Sequence, residues 1–277
     1  MGLSGGVLKA RLLEHRRAYL LAARARRLGR YLRRRPHEID FEYFSQCADR
    51  EGLFLDIGAN AGTSAMSFRL YNRRSPILSV EPNPFHEPDL RLLKRLLRRF
   101  DYLICGAGQE NGTLTLHVPV YKGVPLTGEA SLSATPPVPE DSFFLSELPS
   151  FDAQDFGVQE VRVKVRPLDD LNLNPEFVKI DVEGFELSVL RGLEQTIGRC
   201  RPLLLIEEAA INQVRAWLGD RGYDPFVYDP ARRSLTPYVT NNTHNVFFVA
   251  RPRLGAQGAS SWSSSRERVR RSPSTSS

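Results

Sequence analysis

The segment Phe54-Leu-Asp-Ile-Gly-Ala-Asn-Ala-Gly62 restricts the fold more than any other part of the chain. A short apolar run ends at Asp56 and Ile57, turns sharply through glycine, and passes straight into a helical pattern. Gly58 and Gly62 permit a backbone path that lets a ligand approach closely. The helix that follows offers its free N–H groups to that ligand. In an open α/β sheet, ligands sit in the crevice beyond the strand ends. Asn60 stands where a Gly-x-Gly-x-x-Gly dinucleotide fingerprint has its second glycine, and no Walker lysine follows Gly62. The first argues against a dinucleotide binder and the second against phosphate capture by a P-loop. Taken alone, the turn also fits a purely structural strand-to-helix connection.

The rest of the chain supports a mainly parallel sheet, because short apolar runs alternate with helical patterns. The expected strands are Leu53–Ile57, Pro76–Val80, Tyr102–Gly106, Phe177–Asp181 and Leu203–Ile206. Helices are expected near Thr63–Tyr71, Pro88–Arg99, Phe185–Thr196 and Ala210–Gly219. Tyr223–Tyr228 and Asn245–Ala250 read as a terminal antiparallel hairpin, and Thr113–Val118 and Val161–Val165 as extra strands. Residues 120–160, rich in Pro, Gly and Ser, read as an insertion or lid. Residues 1–40 form a basic amphipathic unit, 41–251 the main domain, and 252–277 a Ser/Arg-rich tail expected to be disordered. Leu8, Leu12, Leu20, Leu28 and Leu32 recur near helical spacing among arginines until Pro36 stops the helix. The plain reading is a solvated helix packed on the domain; the sharper one is peripheral contact with a membrane surface or partner.

Charge separates the ends from the middle. Residues 1–50 hold 12 Lys+Arg against 5 Asp+Glu, and 251–277 hold 6 against 1. The stretch 51–250 holds 20 against 26, so the core is mildly acidic and a nucleic-acid partner is not expected. Cys47, Cys105 and Cys200 match no metal-ligand spacing and suggest a reducing, cytoplasmic setting. The Asn-x-Thr triplets at Asn111 and Asn241 are then chance matches. The apolar run Ala18–Ala23 is far short of the ~20 residues of a membrane span, and too short for a signal-peptide core.

Two further motifs carry chemistry. Glu81 ends strand two, 25 residues after Asp56, where a carboxylate can accept bonds from both hydroxyls of a ribose. With the glycine turn it points to a nucleoside-bearing cofactor. In Lys179-Ile-Asp-Val-Glu-Gly-Phe-Glu186, Lys179, Asp181 and Glu183 share one side while the chain stays extended. Charged groups on a central strand are costly unless they pair or work. The structural alternative is a Lys179–Asp181 ion pair, with Glu183 and Glu186 favouring the next helix N-terminus. Glu207 and Glu208 end strand five beside the same crevice.

In order and content, Phe54–Gly62, Val80–Pro84, Val161–Leu171, Phe177–Glu186 with Leu190-Arg-Gly192, and Leu204–Glu208 resemble the FkbM family of S-adenosylmethionine (SAM) methyltransferases. The resemblance spans roughly residues 40–250. It implies a Rossmann-like, seven-stranded class I methyltransferase sheet, with Asp56, Gly58, Asn60, Gly62 and Glu81 around SAM. It places Asp181 and Glu183 on the acceptor side and implies O-methylation of a natural product or glycan. Cys105-Gly-Ala-Gly-Gln109 departs from the expected pattern by offering no acid to the adenine amine. An alcohol acceptor needs a base: Asp181 is the first candidate and Glu183 the second, with Lys179 holding the carboxylate in place. His86 is the one histidine expected near the cofactor edge. Asp181, Glu183 and Glu207 around a hard cation form an alternative; no metal is assigned. The rival readings are a non-catalytic binding or membrane-docked scaffold protein and a nucleic-acid methyltransferase.

Overall fold

The computed structural model describes residues 13, 15–132, 135–207, 211–239 and 245–252. Leu8, Leu12, Glu208, Ala210, Asn241 and the Ser/Arg-rich tail lie outside the described residues. In chain order the described elements open with α1 (Arg16–Leu32), a 3-10 segment (Ile39–Cys47), β1 (Leu53–Ile57), α2 (Thr63–Tyr71), β2 (Ile77–Glu81) and α3 (Glu87–Leu96). They continue with β3 (Phe100–Ile104), β4 (Gly106–Ala107), β5 (Gly112–Tyr121), β6 (Val124–Pro125), α4 (Phe143–Ser146), β7 (Phe156–Arg166) and β8 (Pro175–Ile180). They close with α5 (Glu186–Arg191), α6 (Glu194–Cys200), β9 (Leu203–Glu207), α7 (Ile211–Asp220), β10 (Tyr223–Asp229), β11 (Ser234–Pro237) and β12 (Asn245–Ala250).

The main sheet runs β11-β10-β12-β9-β8-β1-β2-β3. Its five strands from β9 to β3 are parallel, and β12, β10 and β11 are antiparallel. It therefore has eight strands rather than seven. The addition is β11, which pairs along the outer edge of β10. The expected terminal hairpin forms as a pairing of β10 with β12, and β12 enters between β9 and β10. The extra strands lengthen into β5 and β7, which pair antiparallel along their full length in a second sheet of order β4-β7-β5-β6. The expected long helix after strand four is broken into α5 and α6. The Asp169 carboxylate accepts from the N–H groups of Gln195 and Thr196 and so caps a new start.

Alternation along the central strands divides their side chains between two apolar layers. Leu55, Ile57, Val178, Ile180, Leu204 and Ile206 face one layer. Phe54, Phe177, Leu205 and Phe247 face the other, where the 3-10 segment contributes Phe41, Tyr43, Phe44 and Cys47. Phe54 and Phe68 stack there with ring centroids 4.0 Å apart. The 3-10 segment thus covers the face on which Asp56, Lys179 and Glu207 also project, and this positions the site.

Candidate active site

Gly58 follows β1 directly and packs against the backbone that leaves β8. Its φ is +78°, and an added Cβ would sit 1.6 Å from the Asp181 carbonyl oxygen. Only glycine allows that conformation and that approach together. Gly62 also has φ +78°, but its missing Cβ makes room for Leu93 of α3, at 2.1 Å. Between the two, Asn60 holds φ +49°. Its N–H donates to Glu81 Oε2 at 2.7 Å, and the Asn83 N–H donates to Glu81 Oε1 at 2.8 Å. The Glu81 carboxylate is thereby aimed across the strand ends. Burial pushes its pKa up to about 7 against the pull of those two N–H groups.

These residues line an open cavity of about 830 Å³, counting the part open to solvent. Its walls include Gly58, Asn60, Glu81, the Cys105–Ala107 backbone, Asp181 and Glu183. His86 also lines it, 4% exposed, and burial lowers its pKa to about 4. It is neutral at physiological pH.

The acidic side of the cavity rests on a buried network. Lys179 is 1% exposed and donates to Asp181 Oδ2 at 2.6 Å. Burial disfavours its charge, but Asp181, Asp56 and Glu38 outweigh that and keep the ammonium ionised. Asp56, directly beside Lys179 in the sheet, accepts from Ser79 Oγ at 2.9 Å, and burial raises its pKa to about 6. Burial acts on Asp181 too, but Lys179 and a hydrogen bond with Glu207 win and hold it below its ordinary range. Glu207 moves the opposite way: burial, the Asp181 hydrogen bond and the Asp181 charge all favour its protonated form. The two carboxyls titrate as a pair, with Asp181 favouring the ionised and Glu207 the protonated form. Glu183 occupies a left-handed turn position, φ +51°, followed by Gly184 at +95°. The strand alternation therefore ends before Glu183. The turn still brings a Glu183 oxygen, with one each from Asp181 and Glu207, into a group within 4.8 Å. These three oxygens are the atoms that can hold a cation.

The match that decides the family covers most of this machinery: the methyltransferase FkbM domain model fits residues 56–225. The chain belongs to the FkbM methyltransferase family. Among solved structures, it is similar to an FkbM methyltransferase from Methylobacillus flagellatus at 20% identity and TM-score 0.46, covering 88% of this chain and 58% of that one. It therefore spans 58% of the length of that relative. It is also similar to a TehB-like SAM-dependent methyltransferase from Corynebacterium glutamicum at 12% identity and TM-score 0.40, covering 84% and 97%. A precorrin-6y C5,15-methyltransferase from Geobacter metallireducens matches at 12% and TM-score 0.38, covering 75% and 82%. No curated protein matches the chain.

Of the residues expected around the cofactor of this FkbM-family chain, Gly58, Asn60 and Glu81 line the cavity; Asp56 and Gly62 do not. Asp56 is wholly buried and serves Lys179 and Ser79, while Gly62 serves the packing of α2 against α3. Asp181, Glu183 and Glu207 come together, and Lys179 pairs with Asp181. Sequence reasoning missed His37, Glu38 and Asn245. Glu38 and Asp40 both accept from the Asn245 amide, at 3.0 and 3.3 Å, and Glu38 lies within electrostatic reach of Lys179 and Asp181. His37 is fixed by Ser67 Oγ at 2.8 Å and by the Phe41 ring, and burial lowers its pKa to about 3. The one local signal was a histidine and two acids between the Pro36 stop and an aromatic run.

Proposed function

We propose that this protein is a SAM-dependent O-methyltransferase acting in the cytoplasm on a hydroxyl of a small molecule or sugar. One observation carries the reading: a single cavity joins the glycine turn and Glu81 at one end to the ionised Asp181 at the other. The fit to SAM rests on Glu81, whose N–H partners fix a carboxylate suited to two ribose hydroxyls, beside the Gly58 and Asn60 turn that lines the same cavity. SAM supplies a methyl group carried on a positive sulfonium. Asp181 accepts the hydrogen bond of the acceptor hydroxyl and orients its oxygen for in-line attack. Transfer of the methyl group would break its bond to the sulfonium sulfur, leave S-adenosylhomocysteine and make the hydroxyl proton strongly acidic. Even a carboxylate held below its ordinary range can then take it. Lys179 keeps Asp181 ionised beforehand, and the protonated Glu207 fixes its orientation from the other side.

A second reading has its own support: the gathered oxygens of Asp181, Glu183 and Glu207 suit a hard cation that would bind the hydroxyl directly. Chelator treatment of the parent enzyme separates the two, since Asp181→Asn removes a base and a cation ligand alike. Under the base reading, turnover of that variant falls by about 10²–10⁴-fold while SAM affinity, measured by titration calorimetry, stays near the parent value. Under the cation reading, the parent enzyme itself loses activity to a chelator. Tight NAD binding without SAM binding, or parental turnover by the variant, would overturn the proposal.

A further inference from the structure

α1 has one occupied face and one exposed face. Its inner face is committed: Arg24 and Arg27 both reach Asp89 at 2.6 and 2.8 Å, Tyr19 meets Phe144 edge-on, and Leu28 and Tyr31 pack on the main core. Its outer face carries Leu21 at 62% exposure and Leu32 at 78%, with the exposed Ala25 between them. At about 100° per residue these three positions fall within about 40° of one another on the helix. They form one apolar strip. Arg17 borders it on one side, and Arg26 and Arg33 on the other; all three are exposed. Arg34 and Arg35 extend the basic edge past the helix end. None of these arginines has an ion-pair partner among the described residues.

We infer that this outer face of α1 docks on an anionic lipid surface. The strip is narrow and basic-edged, and the protein core is already met by the adjoining face that carries Arg27, Leu28 and Tyr31. A second copy of the chain would bring the same arginines against each other. An anionic bilayer suits both parts: leucines enter the interface, and long arginine side chains reach back to the headgroups. Each arginine near such a surface strengthens binding by about fivefold. The end of α1 leads directly into His37 and Glu38, so docking would hold the acidic side of the cavity close to the surface.

The test is co-sedimentation of the full chain with vesicles of phosphatidylcholine containing about one third phosphatidylglycerol, compared with pure phosphatidylcholine. The proposal expects binding to the anionic vesicles alone, weakened by added salt. It also expects a loss of about tenfold or more in Leu21→Glu/Leu32→Glu, whose melting temperature should match the parent because both side chains are exposed. Arg26→Gln/Arg33→Gln/Arg34→Gln should lose affinity too. Absence of binding, equal binding to neutral vesicles, or a Leu21→Glu/Leu32→Glu protein that binds like the parent would each overturn it. So would a dimer in sedimentation that the leucine substitutions dissolve, since a second copy would then be the occupant.

Discussion

Glu81 carries two obligations that pull in opposite directions. Its burial favours the neutral acid, with a pKa near 7, whereas two ribose hydroxyls need the ionised acceptor. Binding therefore couples to proton release. SAM affinity should rise with pH up to about 7 and level off above it. Below that pKa it should weaken by at most tenfold per pH unit, since the free protein must first give up one proton. Titration calorimetry in two buffers of different ionisation heat would read the released proton directly. Glu81→Ala should bind about tenfold or more weakly at pH 8, because a charge-assisted hydrogen bond is worth ~1.5–3 kcal/mol, and should lose the pH dependence. A parent protein with pH-independent affinity would remove Glu81 from the ribose. Asp56, another raised carboxyl, lies off the cavity, so it should not add a step of its own.

The β1-to-α2 turn is the element on which fold and site coincide. Gly58→Ala adds a methyl group where the Asp181 carbonyl stands and forces a left-handed conformation on alanine. That conformation alone costs about 1–2 kcal/mol, and the contact with backbone adds to it. We expect a melting temperature lower by about 5 °C or more and loss of turnover together, since relief of the clash displaces Asp181. Gly112→Ala, with nothing near the new methyl, should change neither. This turn was legible in the sequence because its glycines answer a local backbone demand. β1, β2, β8 and β9 were legible because strands buried on both faces read as apolar runs. β11 was not: it is an edge strand with one buried residue, Leu235. The Lys179–Asp181 pair announced itself as charge in a buried strand. The neighbourhood of Glu38 and Asn245 did not, because they meet across 207 residues of chain with no local pattern to record it. Asp56 was assigned to the cofactor from its place in the motif. It lies on the face of Phe54 beside Lys179, short of the strand end, wholly buried and off the cavity.

On the scale of the whole molecule, α1 works as a strap. Leu13, just before it, is 1% exposed and buried among Tyr121, Val124, Leu126 and Leu145 of the second-sheet side. Further along, Arg24 and Arg27 bind Asp89 of α3, and Leu28 and Tyr31 cover the main core. One helix thus ties the inserted segment to the main sheet, and the cavity wall at Thr127–Gly128 lies between those ties. Removing residues 1–35 should uncover Leu126 and Leu145 and take away about 3 kcal/mol or more of apolar burial. That corresponds to a melting temperature lower by about 6–12 °C. The damage should be uneven. Hydrogen exchange should quicken in 121–148 before it does in 177–181, because the central strands keep both apolar layers. SAM binding should weaken through the loosened wall at Thr127, while Glu81 and Gly58 keep their geometry. Truncation that leaves both the melting temperature and the exchange of 121–148 unchanged would show that α1 hangs on the domain without holding it. Faster exchange across both segments alike would mean that strap and sheet form one cooperative unit.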